Sequence, residues 1–446
     1  MSEGTDTMDR GLDLDTPSRL AVDALLDDPK TRIIVCCGAG GVGKTTTAAA
    51  LGVRAAERGR KVVVLTIDPA RRLAQSMGID SLDNTPRKVA GVAGEGELHA
   101  MMLDMKRTFD EIVESHADGE RAQAILDNPF YQSLSAGFAG TQEYMAMEKL
   151  GQLRARDDWD LIVVDTPPSR SALDFLDAPK RLGSFLDGRF IRVLMAPAKV
   201  GGRAGMKFLN VGMSMMTGTL SKLMGASLLK DVQTFVAAMD TMFGGFRTRA
   251  DATFRLLQAP GTAFLVVAAP EPDALREAAY FVERLAAERM PLAGLVLNRV
   301  HTSEAERLSA ERALAAAENL EEGCIVDQES GKAGLRNTGD TLTAGHADPE
   351  SEDVSDTGSP AGPDAAPDDD PRAESPGVDE IAAGLLRLHA ERMQVIAREQ
   401  RTRDRFTTLH PEVAVAEVAA LPGDVHDLAG LRAIGERLAA GVPAGA

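Results

Sequence analysis

Three groups of residues have the types and spacing to do chemistry. Gly38-Ala39-Gly40-Gly41-Val42-Gly43-Lys44-Thr45 fits G-x-x-x-x-G-K-[ST], with a further threonine, Thr46, behind it. Glycines let the backbone curl so that several N–H groups point at phosphate oxygens, and a helix starting there adds its positive end. In such a loop the lysine, here Lys44, reaches the β- and γ-phosphates of a nucleotide, and the hydroxyl of Thr45 ligates Mg²⁺. Asp165 closes the apolar run DLIVVD (160–165), where a carboxylate at a strand tip can hold Mg²⁺. Asp68 closes KVVVLTID (61–68), and an Asp there can orient or deprotonate an attacking water. The plainer readings are a solvated Asp165 and an Asp68 that caps the helix after it.

These residues need a scaffold that brings them together. RIIVCC (32–37) is short, apolar and β-branched, as a buried parallel strand requires. The glycine loop, an Ala-rich helix ending near Gly59, and the strand 61–68 complete one βαβ unit. Further strands are expected at 160–165, 262–269, 292–298 and 411–418, with helical patterns between them, such as 272–290. The fold class is α/β, a doubly wound and mostly parallel sheet. A long amphipathic helix is expected over 379–409, with Ile381, Leu385, Leu388, Met393 and Ile396 roughly on one face. A short helix follows at 427–439.

The 446 residues divide into an acidic leader (1–30), a first part of the core (31–177), an insertion (178–246), a second part of the core (247–321), an acidic linker (322–378) and a C-terminal helix with the last strand (379–446). The linker is poor in apolar residues and rich in Pro, Gly and acids, a composition that predicts disorder. The net charge of −18 is concentrated in residues 1–30, at −5, and 331–380, at −10. The fold itself is nearly neutral, so nothing points to nucleic acid. Three cysteines cannot staple a secreted scaffold, and no long uncharged apolar run suggests a membrane span. The leader lacks the basic-then-apolar pattern of a signal peptide, so the expected location is cytoplasmic, with a peripheral visit to the membrane left open.

The insertion is expected to be helical. Eight of the 18 methionines fall between Met195 and Met242. Residues 178–230 carry nine bases against Asp187 alone. Methionine is unbranched and polarizable, and it suits surfaces that accept varied apolar partners. Met213, Met215, Met216 and Met224 are candidates for contact with a hydrophobic helix or a membrane protein. The plainer reading, a helical subdomain with a methionine core, stands beside it. The acidic segment 331–380 could shield the basic patch, although a solvated spacer is the simpler reading.

GAGGVGKTT, TIDPARRLAQSMG and VVDTPPSRSALDFL together resemble the P-loop, switch I and switch II of one family. It contains the arsenical pump-driving ATPases and the ATPase of the guided-entry pathway for tail-anchored membrane proteins. The similarity continues in VLNRV (296–300) and VAEVAALPGDVHDLAGLRAIGERL. The resemblance implies an Mg²⁺-dependent ATPase that closes as a dimer on ATP and relaxes after hydrolysis. It implies that Asp68, followed by Pro69, activates water and that Asp165 serves Mg²⁺. Thr166, Pro167, Pro168 and Ser169 would sense the γ-phosphate, and Asn298 would read the adenine edge. In the guided-entry branch an insertion like 178–246 forms the groove for a hydrophobic client helix.

Three departures qualify this. The family usually carries a lysine at the second P-loop position, reaching the opposite nucleotide across the dimer; here it is Ala39. Either a paralog with that lysine completes a heterodimer, or another base such as Arg71 or Arg72 compensates, or the enzyme is slow. An ATP-binding regulatory subunit with little hydrolysis is therefore an alternative. The arsenic-sensing branch needs converging thiolates. Cys36 and Cys37 are adjacent on one strand and face opposite sides, so both are expected in the core and an arsenite-pump motor is disfavoured. The C-x-x-C pair that clamps a dimer zinc in guided-entry ATPases is missing, so no zinc is expected.

Overall fold

A computed structural model describes residues 18–68, 72–135, 141–167, 248–329 and 377–440. Over these residues the strands are β1 (Ile33–Gly38), β2 (Lys61–Thr66), β3 (Arg87–Lys88), β4 (Glu97–Met102), β5 (Leu161–Asp165), β6 (Thr262–Ala268), β7 (Leu292–Val300) and β8 (Val415–Ala419). The helices are α1 (Val22–Asp27), α2 (Lys44–Glu57), α3 (Arg72–Ser76), α4 (Met105–His116), α5 (Gly119–Leu126), α6 (Pro129–Ser135), α7 (Thr141–Arg156), α8 (248–258), α9 (Pro272–Ala287), α10 (Ala310–Glu329), α11 (Val378–Leu409) and α12 (Leu428–Ala440).

All eight strands form one sheet in the order β3-β4-β2-β5-β1-β6-β7-β8. Every neighbouring pair is parallel except β3 with β4. This is the doubly wound α/β sheet expected from the sequence. β1 is buried along its whole length, and its side chains alternate between two cores. Ile33, Val35 and Cys37 join the cluster that holds Phe109, Ile112, Leu150 and Phe281. Ile34 and Cys36 join the cluster that holds Leu26, Leu51, Leu431 and Ile434. A strand covered on both faces must read as a continuous apolar run, which is why RIIVCC carries no polar alternation.

Consecutive parallel strands run the same way, so their C-terminal ends gather on one edge of the sheet. That edge carries the loop after β1, Asp68 after β2, Asp165 at the end of β5, Asn298 near the end of β7 and the segment after β8. Ligands of open α/β sheets bind at this edge.

The chain forms two compact units, residues 303–397 and the remainder. Within the smaller unit, Arg387 pairs with Glu321 at 2.6 Å and the His389 ring bonds the Leu308 carbonyl at 2.8 Å. α10 continues to Glu329, past residue 321 where the core segment was expected to end. Ile381, Leu385 and Leu388 are exposed, while Ile396 is buried. The insertion's Met213, Met215, Met216 and Met224 lie outside the described residues, as do Pro69, Arg71, Pro168, Ser169 and most of the leader and linker.

Candidate functional site: the P-loop edge of the sheet

The loop after β1 is shaped by glycines at positions where a side chain has no room. Gly38 has φ +149, and a Cβ there would lie 2.1 Å from the Val267 carbonyl oxygen of β6. Gly43, the residue before α2, has φ +95, and its Cβ would lie 2.2 Å from Asn298 Nδ2. Both positions demand glycine for conformation and for space. The turn between them aims the first free N–H groups of α2 at the space above the loop.

Lys44 is buried, and its Nζ donates to the Ala39 carbonyl at 2.6 Å. Burial holds its pKa below the ordinary lysine value, opposed by the charges of Asp165 and Asp68. The ammonium is thus folded back on its own loop, within reach of any phosphate the loop receives. Ala39 presents only a buried methyl group.

Asp165 is fully buried. In the sheet it lies between Cys36 of β1 and Thr66 of β2. Its Oδ2 accepts from Thr45 Oγ1 at 2.8 Å and from Thr66 Oγ1 at 2.9 Å. Its Oδ1 is buried with no hydrogen-bond partner. Burial raises the carboxyl pKa to about 6, although the two hydroxyls and Lys44 favour the charged form. A buried carboxylate oxygen left without a donor is costly unless a cation meets it. The donor set fits Mg²⁺: Asp165 Oδ1 is unspent, and Thr45 gives its proton to Asp165 while keeping oxygen lone pairs for a hard cation.

Asp68 lies two residues beyond β2 and lines the same cavity as Lys44 and Thr45. Its N–H donates to Thr66 Oγ1 at 3.2 Å. Gln142 at the start of α7 donates Nε2 to the preceding carbonyl, that of Ile67, at 2.9 Å. Thr166 is buried with its hydroxyl on the Cys36 carbonyl at 2.9 Å, and Pro167 follows, partly exposed. Asn298 is buried and donates Nδ2 to the Val42 carbonyl at 2.9 Å. It therefore braces the P-loop as well as lining the cavity.

The cavity encloses about 1110 Å³. It brings together Gly41, Gly43, Lys44, Thr45, Thr46, Asp68, Thr166 and Asn298. It also takes in residues to which the sequence reading gave no role: Gln75, Ser76, Arg299, His301 and the segment Ala419–His426. The Pro422-Gly423 turn just past a buried strand was the available signal for that last wall. Cys36 and Cys37 are buried, free and on opposite sides of the sheet, with both thiol pKa values pushed up by burial. They are core residues, as the strand geometry predicts.

Polar side chains of α7 make a second set of buried contacts. Buried Glu148 accepts from Arg249 Nε at 2.7 Å and from the Tyr144 hydroxyl at 3.2 Å. Lys149 donates to Glu111 at 3.0 Å. Among the described residues no group of three or more His, Cys, Asp or Glu could hold a further metal ion, and no helix is long and apolar enough to cross a membrane.

Comparison with known proteins agrees with this geometry. The chain is 26% identical over 280 residues to "ATPase GET3" of Podospora anserina, covering 62% of this chain and 75% of that one. It is 31% identical over 158 residues to "ATPase GET3" of Malassezia globosa, covering 35% of this chain and 45% of that one. It is 28% identical over 205 residues to a "Putative arsenical pump-driving ATPase" of Halobacterium salinarum, covering 44% and 31%. Two of these three matches span less than half of the relative's length. The family model described as anion-transporting ATPase matches residues 31–322, which include the P-loop, Asp68, Asp165 and Asn298. The chain belongs to the anion-transporting ATPase family.

Proposed function

We propose that this chain is an Mg²⁺-dependent ATPase whose nucleotide state opens and closes a dimer, and that the closed dimer captures a hydrophobic helix or a membrane-associated partner. The observation that carries the ATPase reading is the orphaned Asp165 Oδ1 beside the Thr45 hydroxyl, at the mouth of a P-loop whose lysine is already buried. Thr45 and Asp165 would hold Mg²⁺, which would supply charge neutralisation for the phosphates.

The chain's own groups then have distinct tasks. Backbone N–H groups of residues 40–46 hold the phosphate oxygens. Lys44 leaves the Ala39 carbonyl for the β- and γ-phosphates. Asp68 takes the proton of a water that attacks the γ-phosphorus as its bond to the bridging oxygen breaks. Asn298 holds the Val42 peptide in place and faces the base end of the cavity. Thr166 links the end of β5 to β1 through the Cys36 carbonyl, so a shift at the γ-phosphate would reach the segment that follows.

Dimer closure and client capture draw support from the family and from the methionines of 178–246. Substituting Met213, Met215 and Met216 together by Ser should abolish capture of an apolar helix and spare ATP binding. Collapse of ATP binding instead would mark those residues as core.

Ala39 favours a second reading, an ATP-binding subunit that hydrolyses little by itself. A single-turnover assay on the isolated chain separates the two, and native mass spectrometry of the tagged chain, isolated from its own host with Mg²⁺ and a non-hydrolysable ATP analogue, identifies the partner. One copy bound to a different chain of similar size supports a lysine donated by a paralog. Two identical copies mean that no paralog supplies that lysine, and attention turns to Arg71, Arg72 or a nucleotide-binding role with little turnover. A monomer at saturating nucleotide refutes dimer closure.

A further inference from the structure

Asn298 and Arg299 are consecutive, yet both line the same cavity. A regular strand sends consecutive side chains to opposite faces. The exception arises because the register of β7 against β8 slips between Asn298 and Val300. Arg299 occupies the slip with φ +62, a left-handed backbone that arginine rarely adopts.

The strand recovers at once. Val300 pairs with Ala419, and its carbonyl accepts the Ala420 N–H at 2.9 Å. The bulge is thus pinned by the same segment that supplies the far wall of the cavity, Ala419–His426. The other described non-glycine residues with positive φ are Asp157 and Arg289. Each closes the C-terminal end of a helix, where that conformation is ordinary. Arg299 stands inside a ligand cavity instead. Glycine would take this backbone without strain, so the exposed Arg299 is held there at a conformational cost by the pairing on either side of it.

The cavity has two chemically different ends. The P-loop, Lys44 and Asp68 make one end polar. Ala419, Leu421, Pro422, Val425 and Ile434 give the wall after β8 its apolar surface, with Asp424 and His426 set among them. No Phe, Tyr or Trp lines it among the described residues. The rings that do line it are His301, whose Nδ1 bonds Glu399 at 2.6 Å, and His426, and Arg299 is the one guanidinium among the described lining residues. A guanidinium is planar, weakly hydrated and suited to stack on the face of a flat heterocycle.

We infer that Arg299 is a base-clamping residue, aimed by the bulge to stack on the nucleobase, so that it favours nucleotides over bare polyphosphate. This rests on reading the cavity as a nucleotide site.

The test is calorimetric titration of the full chain with Mg²⁺ and either a non-hydrolysable ATP analogue or inorganic tripolyphosphate. Arg299→Ala should weaken the ATP analogue about tenfold and leave tripolyphosphate unchanged. Arg299→Gly should show the same selective loss while melting about 1–3 °C above Arg299→Ala, because glycine relieves the strained backbone. Equal losses for both ligands would assign Arg299 to the phosphates and overturn the inference. So would an undiminished affinity for the ATP analogue. Failure of the unsubstituted chain to bind either ligand would instead overturn the nucleotide reading on which this stands.

Discussion

Thr45 Oγ1 lies 2.8 Å from Asp165 Oδ2, and the other oxygen of that carboxylate is buried without a donor. The pair stores an electrostatic cost that a cation relieves. Burial pushes the Asp165 carboxyl pKa up from its ordinary 3.8 to about 6, so the folded state binds its proton more tightly than the unfolded chain. Stability contributed by that proton is present at low pH and is lost as pH rises through about 6. At pH 7 without Mg²⁺, Asp165→Asn should therefore be more stable than the unsubstituted chain by about 1–3 kcal/mol. It should also lose Mg²⁺-dependent hydrolysis. Chemical denaturation in EDTA measures the first effect, and a less stable Asn variant would contradict the assignment.

Gly43 and Asn298 form a coupled contact across the P-loop. Gly43→Ala places a Cβ against the Asn298 amide in a left-handed backbone and should cost about 2 kcal/mol or more. Asn298→Ala should cost about 1 kcal/mol through the lost bond to the Val42 carbonyl. The double variant should be more stable than the sum of the two by at least about 0.5 kcal/mol, because the clash is removed. Strict additivity in a double-mutant cycle would show that the two residues do not touch.

Arg249 begins the second half of the core by pairing with buried Glu148. Arg249→Ala removes the guanidinium from that buried carboxylate and should destabilise by about 2–4 kcal/mol. Glu148→Gln with Arg249→Ala should recover part of the loss, since the uncompensated charge is gone. Thermal and urea melts read both, and an unchanged melt for the single variant would show the pair to be dispensable.

His99 of β4 sits edge-on to Trp159 with ring centroids 4.8 Å apart. Burial lowers its pKa below the ordinary 6.5, helped by Lys61 and Lys88 and opposed by Glu97. The unfolded chain then binds more protons across the window between the lowered value and 6.5. The contribution of neutral His99 is full above 6.5 and is lost as pH falls through the lower folded value. His99→Phe should flatten the fall in stability below pH 6.5. A variant with the same slope as the unsubstituted chain would remove His99 from that role.

Much of this site is legible in the sequence, because its signals are local. A glycine loop between an apolar run and a helix identifies itself. Asp68 and Asp165 announce their places by closing apolar strands. β4, with the sequence ELHAMM, escaped notice because His99 and Glu97 interrupt its apolar pattern. It is a strand through long-range pairing of Lys61–Thr66 with Glu97–Met102. Arg299 escaped for a related reason. LAGLVLNRV reads as one unbroken strand, and only pairing with β8, far along the chain, reveals the slip. Ile381, Leu385 and Leu388 show the opposite case: the helical period was correct, but period alone does not say which face is covered.

The most direct test of the account is single-turnover hydrolysis of radiolabelled ATP by excess full-length chain with Mg²⁺, comparing the unsubstituted protein with Asp68→Asn. The account predicts that both bind ATP with the same affinity, that the unsubstituted chain releases phosphate, and that the Asn variant is slower by at least about a hundredfold. Equal phosphate release from the two proteins would contradict the role of Asp68, and release from neither would show that this site binds ATP without hydrolysing it alone.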